Sequence, residues 1–190
     1  VTGNRVIVLA SAGGGRVLSA LDRTSGAVQW TTAEVVVDAL AVASSTGDRV
    51  HLLETRSVAG TADDELRLRT LDLATGAVAW STALTTGQQG FAAPALALAA
   101  DGSLFALNSN AGIRTWRLTA GDGHIDWQRV LPIEPGWRQG GGRIVHLGDG
   151  RLGITFTRRM PATATSAVLA LGHLVVLDAA TGAPGGTHAT

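Results

Sequence analysis

The densest group of side chains able to do chemistry is Asp63, Asp64 and Glu65, the residue types of a calcium loop or a general acid and base. Calcium takes about six to eight oxygens, and three consecutive carboxylates lack the alternate spacing of a D-x-D-x-D-G loop. They read instead as the solvated tip of a hairpin after Gly60. His51, His124, His146, His173 and His188 form no i, i+2 or i, i+4 pair that would preload a metal site, and His51 and His146 fall in predicted strands as paired polar residues. Ser11, Ser44 and Ser109 lack a G-x-S-x-G elbow. The glycine runs 13–15 and 140–142 precede no Lys-Ser/Thr and open no helix, so they read as loops rather than phosphate cradles. Arg158 and Arg159, with Arg138 and Arg143 nearby, suit either an anionic partner or plain solvated surface. Trp137, with Arg138 beside it in IEPGWRQGGG (133–142), is the candidate partner-binding residue, because a large loop aromatic can anchor another protein. The alternative for Trp137 is packing over a neighbouring sheet. No residue is assigned as catalytic, cofactor-binding or metal-ligating.

The chain that must position these groups has 190 residues, 45% hydrophobic and 16% charged, enough apolar content to build a core. Its 15 basic residues, all Arg, balance 15 acidic ones, so there is no net field to draw nucleic acid or anionic lipid, and no nucleic-acid partner is expected. Absence of Cys excludes disulfides, thiolate metal sites and thiol catalysis. The long uncharged stretches 77–100 and 160–177 are interrupted by Gln88, Gln89 and Pro94, and by Pro161 and His173, so this segment is not expected to insert into a membrane. VTGNRVIVLASAGGG carries no signal-peptide pattern, and the chain reads as an excised piece.

A repeat organises the sequence. ALDRTSGAVQW (20–30) and TLDLATGAVAW (70–80) align without a gap, placing Asp22 and Asp72, and Trp30 and Trp80, fifty residues apart. TWRLTAGDGHIDW (115–127) reads as a third copy with two extra residues, Arg117 in place of the Asp, Gly121 and Trp127. VLDAATGAPGG (176–186) is a fourth, with Asp178, Thr181 and Gly182 but Gly186 in place of the Trp. The unit predicts a strand, a tight turn and a strand: the Asp carboxylate accepts backbone N–H groups two or three residues on, and the Gly supplies positive φ. Ala20, Asp22, Gly26 and Trp30, then Asp72, Thr75, Gly76 and Trp80, are its structural residues.

Period-two alternation marks strands at 5–11, 16–22, 49–55, 65–73, 103–109 and 151–157, separated by turns such as STGDR and LGDGR. EVVVDALAVASS (34–45) competes as a helix but reads as an inner strand because of its β-branched run. Four short strands in a period of about fifty predict an all-β propeller of four-stranded antiparallel blades. About four blades are expected, near 1–33, 34–90, 91–135 and 136–190, in a single segment forming an open arc or partial propeller. The first should lack its innermost strand, and GAPGGTHAT, with Pro184 and no alternation, is a poor candidate for the last outer strand. Association through open blade ends follows from that arrangement.

The unit A-x-D-x-x-T-G-x-x-x-W resembles the tryptophan-docking repeat of the pyrroloquinoline-quinone (PQQ) type β-propeller family. The resemblance implies that each Trp packs between blades against the Ala position and the Gly peptide of the next unit. It also implies two functional readings. Non-catalytic relatives serve in outer-membrane β-barrel assembly and in endoplasmic-reticulum membrane-protein insertion, and NAGIRTW (110–116) resembles a blade of the latter. On that reading the chain is a non-enzymatic scaffold for protein–protein interaction, without a cofactor, in an extracytoplasmic setting such as periplasm, cell surface or ER lumen. The alternative is a fragment of a quinoprotein dehydrogenase, holding PQQ over calcium.

Overall fold

The computed structural model describes residues 4–12, 15–32, 38–43, 48–88, 94–109, 112–131, 138–160 and 169–189. Every regular element among them is a β-strand: β1 (Arg5–Ala12), β2 (Gly15–Asp22), β3 (Val28–Thr31), β4 (Asp38–Ala43), β5 (Arg49–Ser57), β6 (Asp63–Asp72), β7 (Val78–Gln88), β8 (Ala95–Leu98), β9 (Ser103–Asn108), β10 (Ile113–Thr119), β11 (Ile125–Leu131), β12 (Arg138–Gly148), β13 (Arg151–Met160), β14 (Leu169–Asp178) and β15 (Pro184–Ala189). They form four sheets with neighbours in chain order: β1-β2-β3, β4-β5-β6-β7, β8-β9-β10-β11 and β12-β13-β14-β15. The first is three-stranded. Antiparallel hairpins account for this order, because a short turn returns the chain beside the strand it left.

Chain contacts define two compact units, one of Val1–Gly90 with Ala100–Gly102 and Thr119–His124, the other of Phe91–Ala99, Ser103–Leu118 and Ile125–Thr190. In the first, Leu18, Val50, Leu71 and Leu73 pack together with Ile7, Leu9 and Trp30 against them. In the second, Phe105, Leu107, Ile113, Trp127, Leu152, Ile154 and Val175 belong to one buried cluster. Leu152, Ile154 and Phe156 stand opposite Leu177, Val175 and His173 across β13 and β14, so the period-two pattern places one face of this hairpin in the core. Each fully buried Leu contributes roughly 1.5–3 kcal/mol of transfer free energy. β9 is buried along its whole length, which is why its sequence SLFALN shows apolar residues on both faces.

Of two strand expectations, one holds and one is revised. Within 34–45 the described residues Asp38–Ala43 form a strand, the first of its four-stranded sheet and paired with β5, as expected of an inner strand; 34–37, 44 and 45 lie outside the described residues. The tail expected to be a poor strand forms β15: Val175 stands opposite Thr187, Val176 opposite Gly186 and Leu177 opposite Pro184. Pro184 is the first residue of an edge strand, where its missing N–H costs no ladder bond.

Candidate functional site

The turn after β2, β6 and β14 is built identically three times. The Gly26 N–H donates to Asp22 O at 2.9 Å, that of Gly76 to Asp72 O at 2.8 Å and that of Gly182 to Asp178 O at 2.8 Å. The N–H of each Asp donates to the carbonyl of Ala27, Ala77 or Ala183, all at 2.8 Å. Each Asp side chain then closes the turn from inside. Asp72 Oδ1 accepts from the N–H of Ala74 at 3.0 Å and Thr75 at 2.9 Å, and from the Thr75 hydroxyl at 2.9 Å. Asp22 Oδ1 takes the Ser25 N–H at 2.8 Å, the Ser25 hydroxyl and the Thr24 N–H, and Asp178 Oδ1 takes the N–H and hydroxyl of Thr181 at 2.8 Å. These donors hold all three carboxyls below the ordinary Asp range, led by the Ser25 N–H at Asp22 and by the Thr75 and Thr181 hydroxyls at Asp72 and Asp178. A carboxylate so occupied is committed to structure.

The indoles of Trp30, Trp80 and Trp127 each meet such a turn. Trp30 Nε1 donates to Leu73 O at 2.9 Å, Trp80 Nε1 to Ala120 O at 2.8 Å and Trp127 Nε1 to Ala179 O at 3.1 Å. The ring lies against the positive-φ glycine three residues past the accepting carbonyl. A Cβ on Gly76 would stand 2.7 Å from Trp30 Cδ2, one on Gly123 2.4 Å from Trp80 Cε3, and one on Gly182 2.9 Å from Trp127 Cδ2. Glycine is required there twice over, for its φ of 72°, 74° and 68° and for the space the ring fills. Bonds beside the rings reinforce two of these joints: Thr82 Oγ1 to Gly123 O at 2.8 Å, and Arg129 Nη2 to Thr181 O at 2.9 Å.

The third copy is aligned differently from the sequence expectation. The Gly123 N–H donates to Thr119 O and the Thr119 N–H to His124 O, so Thr119 occupies the place of Asp72 and Gly123 that of Gly76. Gly121, expected to be the turn glycine, has open space where a Cβ would go. Arg117 is not at the Asp position; it stands opposite Trp127, as Thr70 stands opposite Trp80 and Ala20 opposite Trp30. There are therefore no two extra residues within the unit, and Thr119 to Trp127 spans eight positions like Asp72 to Trp80. Counting eight back from each Trp would have found this. Asp122 takes over the role of Thr75: its Oδ1 accepts the His124 N–H at 3.0 Å, where Thr75 Oγ1 accepts that of Ala77 at 3.2 Å.

The remaining candidates are dispersed. Asp63, Asp64 and Glu65 open β6 rather than forming a hairpin tip; Asp64 Oδ1 accepts from Ser57 Oγ at 3.1 Å and Glu65 pairs with Arg67 at 2.6 Å. His51 is buried with Nδ1 2.7 Å from Thr70 Oγ1, and burial, aided by Arg49, lowers its pKa to about 4. His173 stacks on Phe156 with centroids 5.2 Å apart, and Arg158 lies over the same Phe156 ring at 5.6 Å. Gln139 and Arg138 pair by backbone with Arg158 and Arg159. Glycines 140–142 lie within β12. Trp137 lies outside the described residues. The buried ion pair of Arg69 Nη2 and Glu54 Oε2 at 2.9 Å had no signal in the sequence beyond two charges among leucines.

Among the described residues no three His, Asp or Glu side chains converge as a cation donor set.

Four antiparallel sheets joined in chain order, with a strand–turn–strand unit closed by Asp and Gly and capped by an indole, define a β-propeller of the PQQ-repeat type. The chain belongs to the PQQ-like repeat family whose profile, described as outer membrane protein assembly factor BamB, matches residues 1–133. No curated protein matches the chain. Among solved structures it is similar to BamB from Moraxella catarrhalis, at 19% identity and TM-score 0.50, over 98% of this chain and 61% of that one. The β-propeller domain of the Trilobed protease from Pyrococcus furiosus matches with TM-score 0.55 and 10% identity, over 100% of this chain and 54% of that one. Quinohemoprotein alcohol dehydrogenase from Comamonas testosteroni gives TM-score 0.55 and 10% identity, over 100% and 52%. These likenesses establish the fold, and the chain spans about half to three fifths of the length of each solved relative.

Proposed function

We propose that the chain is a non-enzymatic propeller scaffold that mediates protein–protein interaction in the assembly or insertion of membrane proteins, in an extracytoplasmic compartment. The carrying observation is the match of residues 1–133 to a family described as an outer-membrane protein assembly factor. The use of the repeat residues supports it: Asp22, Asp72 and Asp178 are occupied by their own turns, and Trp30, Trp80 and Trp127 hold carbonyls. Joints of this kind preorganise the sheets they join, and binding to a preorganised surface costs little ordering entropy; Trp137 and Arg138 are the partner-binding residues this reading expects. The partner is a protein, and the scaffold needs no cofactor.

The second reading is a quinoprotein dehydrogenase fragment, favoured by the fold it shares with the Comamonas testosteroni enzyme. Tryptophan fluorescence titrated with PQQ and calcium, together with dye-linked oxidation of alcohols and sugars, separates the two. The scaffold reading expects no saturable quench and no turnover; a saturable, calcium-dependent quench with turnover would replace it by the enzyme reading.

A further inference from the structure

The neutral total of charge conceals a division along the chain. Of the two compact units, the first holds 11 acidic residues and 7 Arg, the second 4 acidic residues and 8 Arg. The excess is densest in the hairpin β12–β13, where Arg138, Arg143, Arg151, Arg158 and Arg159 share residues 138–160 with one acidic side chain, Asp149. Asp149 is already engaged, by Arg151 at 3.7 Å. Strand register places Arg138 directly opposite Arg159, a juxtaposition of like charges that costs stability unless an anion lies between them.

Next to that pair, Arg143, Thr155, Thr157, Gly172 and Leu174 line a cleft of about 360 Å³, a volume in the range of ligand sites. Its recess follows from the pairing: Gly172, without a side chain, stands opposite Thr157, while Arg143 stands opposite Thr155. Arg143 and Thr155 are exposed and Thr157 is half-buried. The Arg143 guanidinium and the two hydroxyls have no hydrogen-bond or ion-pair partner among the described residues. The cleft therefore presents free donors, and no carboxylate lines it.

Spacing restricts what fits. Positions 155, 157 and 159 alternate along β13 on one face, and a rise of about 3.3 Å per residue sets the Arg138–Arg159 pair about 13 Å from Arg143 and Thr155. One small anion cannot reach both ends. An extended chain with carboxylates four residues apart repeats that interval on one face, and a planar guanidinium matches a carboxylate with two parallel bonds. We propose that the cleft and the adjoining Arg138–Arg159 pair bind an acidic, extended segment of a partner protein. One carboxylate meets Arg143 and Thr155, and a second, four residues along, meets Arg138 and Arg159. That a protein carries these carboxylates rests on the scaffold reading; the site itself does not.

The probe is a fluorescein-labelled peptide of about twelve Ser, Thr and Val residues with two Glu four residues apart, titrated by anisotropy against the full chain at low salt. Arg143→Gln and Arg159→Gln should each weaken binding at least about tenfold, and Arg23→Gln, in an exposed turn of the first unit, by less than about twofold. Replacing both Glu by Gln, or setting them three apart so that they face opposite ways, should weaken it as much. In the wild-type chain the peptide should shift the Thr155 and Thr157 amide resonances, a readout that serves if a variant does not fold. No saturable binding, no shift at those amides, or equal losses with Arg23→Gln would overturn the proposal. Phosphatidylglycerol vesicles or a single-stranded oligonucleotide bound more tightly than the peptide, through the same arginines, would overturn the protein partner. Dye-linked turnover with peptide binding intact removes the scaffold reading and leaves the carboxylate site, whereas neither turnover nor binding removes the site alone.

Discussion

The turn of 72–76 and the turn of 119–123 hold the same backbone with different chemistry. The first is closed by a carboxylate that accepts three donors, the second by Thr119 with Asp122 two positions before the accepted His124 N–H. Both keep a left-handed glycine under an indole. What the two share is the glycine and the ring contact, so the joint, rather than the Asp, is the constant of this repeat. The Asp is one of two ways to brace it.

Breaking that common feature should have the largest effect. Gly76→Ala or Gly123→Ala puts a methyl group into an indole and forces Ala to positive φ, costing roughly 2–4 kcal/mol of stability in urea unfolding. Gly26→Ala carries only the backbone strain, about 1 kcal/mol. Equal costs at Gly26 and Gly76 would mean that the ring contact is inconsequential.

The next effect is acid sensitivity in the same unit. His51 is held neutral in the folded state with a pKa of about 4, against 6.5 when exposed. Because the unfolded chain binds the extra proton first, the penalty builds as pH falls from 6.5 and is complete below about 4, up to roughly 3 kcal/mol. The lowered carboxyls of Asp22, Asp72 and Asp178 act below that window. Their stabilisation is present above the ordinary Asp pKa and is lost as pH falls through the folded value. Unfolding measured from pH 7 to pH 3 should show both phases, and His51→Asn should flatten the upper one.

Smaller effects sharpen the difference between the two braces. Trp80→Phe keeps a ring but loses the bond to Ala120 O and should cost about 1–2 kcal/mol. Asp72→Ala should lower stability by less than Trp80→Phe does, although it frees three turn donors, because that turn is exposed to water. Thr119→Asp with Asp122→Thr rebuilds the Asp72–Thr75 brace at the third turn and should leave stability within about 0.5 kcal/mol. A loss of several kcal/mol in that double variant would show that the braces are not interchangeable.

Much of this was legible in sequence. Two ungapped copies fixed the period, and alternation found β2, β5, β6 and β13 to within a few residues; in β2 burial does alternate at Leu18 and Ala20, whereas β5 is buried continuously from Val50 to Thr55. The third turn was misread because Arg117 and Gly121 look like a displaced Asp and Gly, whereas spacing from Trp127 is the physical constraint: register and the bulge after Arg117 set it. β15 reads as a poor strand in the sequence because of Pro184 and its glycines, which an edge strand tolerates and an inner strand would not. The receiving carbonyls of Leu73, Ala120 and Ala179 carry no side-chain signature at all. Nor does the Glu54–Arg69 pair, whose partners are fifteen residues apart on adjacent strands.

The central claim is that each glycine seats one particular indole, and proton exchange at the indole N–H groups tests it most directly. The Trp30, Trp80 and Trp127 protons should exchange slowly in the wild-type chain, and Gly76→Ala, Gly123→Ala and Gly182→Ala should each release its own partner while sparing the other two. Protection that is absent from the start, or that is lost at all three indoles whichever glycine is changed, would contradict the one-to-one joints described here.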